Sequence, residues 1–69
     1  MKTTLRKFRF DRGEFSQQQL ADMVSVSRQT IVSIERGDYA PSVKLALLIA
    51  KKLGTTVEEI FEFEEKDYA

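Results

Sequence analysis

The stretch Ser16-Gln17-Gln18-Gln19-Leu20-Ala21-Asp22-Met23-Val24-Ser25-Val26-Ser27-Arg28-Gln29-Thr30-Ile31-Val32-Ser33-Ile34-Glu35-Arg36-Gly37 decides how this chain folds. Ser16 with Gln19 three residues on is a Ser-x-x-Gln capping box, in which each side chain satisfies a backbone N–H that a first helical turn leaves free. It opens a helix from Gln17 to about Val24 that sets Leu20, Ala21 and Val24 on one face. Ser25-Val26 leaves room only for a very short turn before Ser27, the next N-cap. The helix that follows runs from Arg28 to Arg36, and Ile31, Ile34 and the stem of Glu35 form its buried stripe at i, i+3, i+4 spacing. Gly37 supplies the left-handed position that stops it.

Working outward toward the N-terminus, Leu5, Phe8 and Arg12, with Arg6, Lys7 and Arg9 between them, predict a first amphipathic helix that ends near Gly13. On the other side, Asp38-Tyr39-Ala40-Pro41 is a loop, because Pro41 drives Ala40 out of helical geometry. Ser42 caps a fourth helix from Val43 to Leu53, stopped by Gly54. It is apolar most of the way round (Val43, Leu45, Ala46, Leu47, Leu48, Ile49, Leu53), which predicts a central, buried helix. Thr56 caps a short fifth helix ending near Phe61, with Glu58 and Glu59 in the first turn, where the helix dipole favours anions. Phe61-Glu62-Phe63-Glu64 then alternates apolar and acidic with the period of a strand. A lone strand is unstable, and the other extended candidate is Met1 to Thr3. The expectation is an all-α fold of five helices in a single domain over residues 1–69, with a small two-stranded sheet from the N-terminus and the tail 62–69.

Composition narrows the function. Sixty-nine residues make one domain, since a second core would need roughly 50 more. The chain has no Cys and no His, which excludes thiolate or imidazole metal sites and Ser-His-Asp or Cys-His catalysis. No Gly-rich phosphate loop is present, and the acidic tail reads as surface, so no enzyme, no cofactor and no metal site are expected. The longest apolar run, Leu45 to Ala50, is six residues and too short to span a bilayer. Met1-Lys2-Thr3-Thr4 lacks the apolar region of a signal peptide, so a cytoplasmic location is expected. Net charge is zero, but residues 1–36 carry seven basic groups against four acidic, whereas residues 37–69 carry four against seven. A binding face responds to local potential rather than to the molecular sum. Solvated helix faces account for the same asymmetry.

Two short helices joined by a tight turn have the proportions of a helix-turn-helix, whose second helix lies in the DNA major groove with its N-terminal residues at base edges. Here those positions are Ser27, Arg28, Gln29 and Ser33, opposite Ile31 and Ile34. Arg can donate a bidentate pair to guanine O6 and N7, and Gln can pair with adenine N6 and N7. An ordinary polar face of a small helical bundle presents the same residue types.

Residues 16–37 resemble the phage-repressor (Cro/cI, Xre-type) helix-turn-helix family, whose pattern is roughly SQxxLAxxxxVSRxTIxxIExG followed by Pro-Ser and a Leu-rich helix ending in Leu-Gly. Asp38-Tyr39-Ala40-Pro41-Ser42 and Leu53-Gly54 supply that continuation, so the resemblance covers about residues 5 to 61. It implies a lambda-repressor-like DNA-binding domain, and the aromatic-acidic tail looks most like compact, stand-alone dimeric repressors. By resemblance, Arg28, Gln29 and Ser33 match base-reading positions, with Ser27 at the entry of the helix. Gln17, Thr30 and Arg36 match phosphate-facing positions, and Arg9 and Glu35 match a structural pair tying the first helix to the third. In two places the chain departs from the pattern. Gly13-Glu14-Phe15 is one residue longer than the commonest connection, and Asp38 stands where many relatives carry Lys.

One subunit reads only a few base pairs, too little to find a site among many competitors, whereas a twofold dimer reads two half-sites ~34 Å apart. The expected dimer surface is Val57, Ile60, Phe61 and Phe63, joined by Tyr68. Phe61 and Phe63 could instead close the core against Met1 to Leu5. The function this implies is a sequence-specific transcriptional repressor with double-stranded DNA and a second copy of itself as partners, and no membrane. An antitoxin that also binds a toxin, a restriction-system controller, and a protein-interaction module that keeps the fold without the DNA contacts are the alternatives.

Overall fold

The computed structural model describes residues 1–68; residue 69, the last of the expected tail, lies outside them. Chain order is β1 (Lys2–Thr3), α1 (Leu5–Asp11), α2 (Gln17–Met23), α3 (Arg28–Glu35), α4 (Val43–Leu53), α5 (Val57–Ile60) and β2 (Phe61–Glu62), followed by a 3-10 turn over Glu65–Tyr68. All five helices fall where the caps and periodicity place them.

Local chemistry accounts for four of the helix starts. Ser16 Oγ accepts the Gln19 N–H at 3.0 Å while Gln19 Oε1 accepts the Ser16 N–H at 2.8 Å, completing the capping box. Ser27, Ser42 and Thr56 accept from Thr30, Leu45 and Glu59 in the same way, at 3.3, 3.1 and 3.3 Å. Caps of this kind are worth about 1 kcal/mol each. Helix α1 has no side-chain cap. Its start is set from a distance, by the Thr4 N–H donating to the Ile60 carbonyl and the Thr4 hydroxyl donating to the Glu59 carbonyl, both at 2.8 Å.

Every helix contributes to one core. Leu5 from α1, Leu20 from α2, Ile31 and Ile34 from α3, Ile49 and Leu53 from α4 and Ile60 from α5 are its fully buried side chains. Burial stabilises each by about 1.5–3 kcal/mol relative to exposure. Helices α2 and α3 pack closely on one another across the Ser25-Val26 turn, where Ser25 takes a left-handed φ of 59°. Strands β1 and β2 pair antiparallel, with Lys2 opposite Glu62 and Thr3 opposite Phe61, so the expected sheet forms. Gly37 ends α3 at φ 80°, and a β-carbon there would stand 2.6 Å from the Met1 carbonyl oxygen. The Met1 carbonyl and the turn after α3 therefore meet at a point only glycine fills.

Two expectations need correction. Helix α4 is central but not buried all round: Ala46, Ile49, Ala50 and Leu53 face the core, while Val43 and Leu47 are 77% and 57% exposed. Four short helices supply enough apolar surface to cover one face of α4 and no more, because so small a domain keeps a high ratio of surface to volume. Ile60, expected on the dimer surface, is 1% exposed and belongs to the core. In a four-residue helix whose start packs against α4, the last residue points inward, and Thr4 closes over its carbonyl. Among the described residues no helix is long and apolar enough to cross a membrane.

Candidate nucleic-acid interface

The N-terminal end of α3 presents the residues singled out as base readers. Arg28 and Gln29 are exposed and Ser33 is half-buried one turn further along the same face. The Gln29 amide lies 3.5 Å from Ser33 Oγ, a long contact that leaves both groups free to turn outward. Ser27 and Thr30 hydroxyls bond each other at 3.0 Å while Ser27 also caps the helix. Between them the pair keeps one hydroxyl hydrogen for an outside acceptor.

A chain of polar contacts locks the base of this surface. Arg9 Nε and a terminal nitrogen hold the two carboxylate oxygens of Glu35 at 2.8 and 3.3 Å, and the other terminal nitrogen donates to the Phe15 carbonyl at 2.7 Å. Both side chains are nearly out of solvent, at 14% and 8% exposure. Glu35 Oε1 also accepts from Gln17 Nε2 at 3.1 Å, and Gln17 Oε1 accepts from Arg28 at 3.2 Å. The series Phe15–Arg9–Glu35–Gln17–Arg28 thus runs from the connection before α2 to the entry of α3. Gln17 retains its second amide hydrogen, at the N-terminus of α2 where backbone N–H groups and the helix dipole both favour an anion. The structure brings Gln17, Ser27, Arg28, Gln29, Thr30 and Ser33 together around the α2–α3 turn.

Arg36 lies apart, at the far end of α3, paired with Asp38 at 3.4 Å with both side chains more than 60% exposed. An exposed pair of this kind is worth little, so it holds Arg36 only weakly. Tyr39, in the loop after α3, is 45% exposed and shares a shallow depression with Ser27, Gln29, Thr30 and Ser33. The signal was present in Gly37: its left-handed turn, with Asp38 N–H donating back to the Ser33 carbonyl, returns the chain along the open side of α3.

The residues expected on a dimer surface divide. Val57 and Phe61 are half-buried, Phe63 and Tyr68 are 60% and 76% exposed with their rings edge to face at 5.4 Å, and Ile60 lies beneath them. Val57, Phe61 and Phe63 line an apolar groove whose other wall is Pro41, Val43 and Leu47.

A closely packed helix pair with a tight turn, a capped second helix and exposed Ser27, Arg28 and Gln29 at its leading end define a DNA-binding helix-turn-helix transcriptional regulator. The chain belongs to the Helix-turn-helix family of Cro/cI-like, Xre-type regulators, whose profile matches residues 5–60. It is 45% identical over 67 residues to an uncharacterized HTH-type transcriptional regulator of Methanocaldococcus jannaschii, covering 97% of this chain and all of that one. It is 42% identical over 67 residues to the uncharacterized HTH-type transcriptional regulator YgzD of Bacillus subtilis, with the same coverage. The fold is similar to the restriction-modification controller protein C.AhdI from Aeromonas hydrophila, with a TM-score of 0.72, 32% identity, and 83% of this chain and 81% of that chain covered. It is also similar to the clp gene regulator ClgR from Corynebacterium glutamicum, with a TM-score of 0.70, 34% identity and 77% of this chain covered. This chain spans 55% of the length of that ClgR chain. The family is one of transcription regulators, not of enzymes.

Proposed function

We propose that this regulator is a repressor that binds a palindromic operator as a homodimer, occupying promoter DNA without any chemical step. The observation that carries the reading is the polar face of exposed Arg28 and Gln29 and half-buried Ser33, set on a helix whose entry is clamped by Gln17, Glu35 and Arg9. With α3 in the major groove, Arg28 and Gln29 read base edges and Ser33 reads one turn further along. Ser27 reads at the entry of the helix through the remaining lone pair of its Oγ, giving its own hydrogen to Thr30, whose hydroxyl is then free to donate outward. Gln17, Thr30 and Arg36 hold phosphates and fix register, and the Tyr39 hydroxyl joins them from the rim of the depression. The domain as a whole, residues 1–69, works as one reading head, and Val57, Phe61 and Phe63 belong to the surface that meets a second copy.

Few positive charges face the DNA, and Asp38 opposes one of them. Affinity should therefore fall only modestly with salt, at ~0.9 logarithmic units per phosphate neutralised for each tenfold rise. The test is selection of bound duplexes from a random library at near-physiological salt. Enrichment of a palindrome with half-sites one helical turn apart supports the reading. A folded protein that enriches nothing assigns the α3 face to a protein partner, such as a toxin. Similarity to a restriction-modification controller of nearly the same extent favours a second version, in which the operator lies beside restriction and modification genes.

A further inference from the structure

The large apolar side chains left in solvent fall into three places. Val43, Leu47 and Phe63, with Tyr68 against Phe63, border the groove between α4 and α5, and Tyr39 belongs to the face of α3. Phe10, 62% exposed on α1, belongs to neither. Among the described residues no second ring packs on it and no cation stands over it. At about 100° per residue, α1 turns Leu5, Phe8 and Arg9 to the protein and Arg6, Lys7 and Phe10 away from it. Arg6 and Lys7 flank the ring on either side, the three within an arc of about 100°. Neither cation forms an ion pair among the described residues. Arg9 and Arg36 are paired, and Arg12 and Arg28 donate to the Gly54 carbonyl and to Gln17. The unengaged positive charge of the N-terminal half thus gathers around one exposed aromatic ring.

We infer that this face docks an acidic segment of a partner protein, with an apolar side chain of the segment on Phe10 and its carboxylates at Arg6 and Lys7. The ring supplies apolar area that a surface charge pair lacks, and the two cations select the sign of what lies beside it. A phosphate backbone would use the cations and leave the ring in water, so the ring favours a protein over duplex DNA. Thr3 of β1 lines the same open depression, which seats the segment against strand and helix together. Asp11, at the edge beyond Lys7, is the one acidic group there and opposes the segment. Arg9, on the other side of α1, is the residue that meets Glu35 of α3. The docking face therefore points away from α3 and stays open with a duplex against it, so a regulator on DNA can engage a second protein.

Amide-shift titration of the full chain with synthetic octapeptides tests it. The probe carries two leucines among six glutamates; one control replaces the leucines by serine, the other the glutamates by glutamine. Shifts at residues 6, 7, 10 and 11 should saturate with the probe, require about fivefold more of the serine control, and stay flat with the glutamine control. Phe10→Ser should remove the difference between probe and serine control, with circular dichroism and the thermal transition unchanged, since the ring is outward. Arg6→Glu with Lys7→Glu should abolish saturation, while affinity for duplex DNA and its salt slope stay as in the wild type. Asp11→Asn should tighten the probe by about twofold. Absence of saturable shifts on α1, or equal binding of probe and serine control, would overturn the docking face. A charge-reversed variant that loses DNA affinity together with part of the salt slope would overturn it too, and give Arg6 and Lys7 to phosphates.

Discussion

Arg9 and Glu35, 26 positions apart in the chain, meet through two hydrogen bonds of 2.8 and 3.3 Å in a nearly dry site. The pair ties α1 to the end of α3, and Gln17 attaches to the same carboxylate. Removing one partner from such a site strands the other charge. Arg9→Ala should destabilise the domain by about 3 kcal/mol in urea unfolding, whereas the double variant Arg9→Met with Glu35→Leu should cost much less. Equal losses for the two would mean that Arg9 acts through its contact with the Phe15 carbonyl.

At the DNA face, Arg28→Ala should cost about 1–3 kcal/mol of operator binding and relax selectivity at one base pair. Gln17→Ala should weaken binding to all sequences alike if Gln17 holds a phosphate as proposed. Because its amide oxygen also accepts from Arg28, a double-mutant cycle should find the two residues coupled. Titrations against single-base operator variants measure both effects; strict additivity would argue that the Gln17–Arg28 bond breaks on binding.

Phe61 and Phe63 should separate. Phe61 packs against the core and pairs through its backbone with Thr3, so Phe61→Ala should lower the unfolding midpoint. Phe63 is mainly exposed, so Phe63→Ala should leave folding intact and lower dimer affinity, by about 1 kcal/mol for a peripheral aromatic. Paired denaturation and sedimentation experiments distinguish the two.

Gly37→Ala should destabilise by about 1–2 kcal/mol, since alanine at φ 80° is strained and its methyl would press on the Met1 carbonyl. Backbone amide shifts should then change at Met1 to Thr3 as well as at residues 36–39. Changes confined to the turn would show that β1 yields without cost.

Asp67 titrates below its ordinary 3.8, chiefly because its carboxylate accepts the Glu64 N–H, with the Met1 ammonium 3.4 Å away adding a favourable charge. A depressed carboxylate stabilises the fold fully above the unfolded value, and that contribution is lost as pH falls through the folded value. The tail turn should therefore hold at neutral pH and loosen only in strong acid, ahead of the helical core. Carboxyl carbon shifts of Asp67 followed by NMR across the acid range check the direction.

The helices α2 to α5 were legible because each start is written within four residues: Ser16, Ser27, Ser42 and Thr56 each cap a backbone N–H three positions on. Gly37 and Gly54 mark the ends of α3 and α4 equally locally, through left-handed φ values that glycine adopts freely. The base-reading candidates were legible for a related reason, since Arg28, Gln29 and Ser33 are polar residues opposite the Ile31 and Ile34 stripe of one helix.

What the chain alone determined, then, is everything that depends on neighbours three or four residues away: where helices begin and end, and which face of α3 is polar. Tertiary structure decided the rest. It fixed the start of α1 through carbonyls of residues 59 and 60, joined Gln17 to Glu35 and Arg28, turned Tyr39 toward α3, buried Ile60, and left Val43 and Leu47 in solvent. Hydrophobicity states that a side chain gains by leaving water, but which apolar residues succeed depends on how much covering surface the other helices can supply.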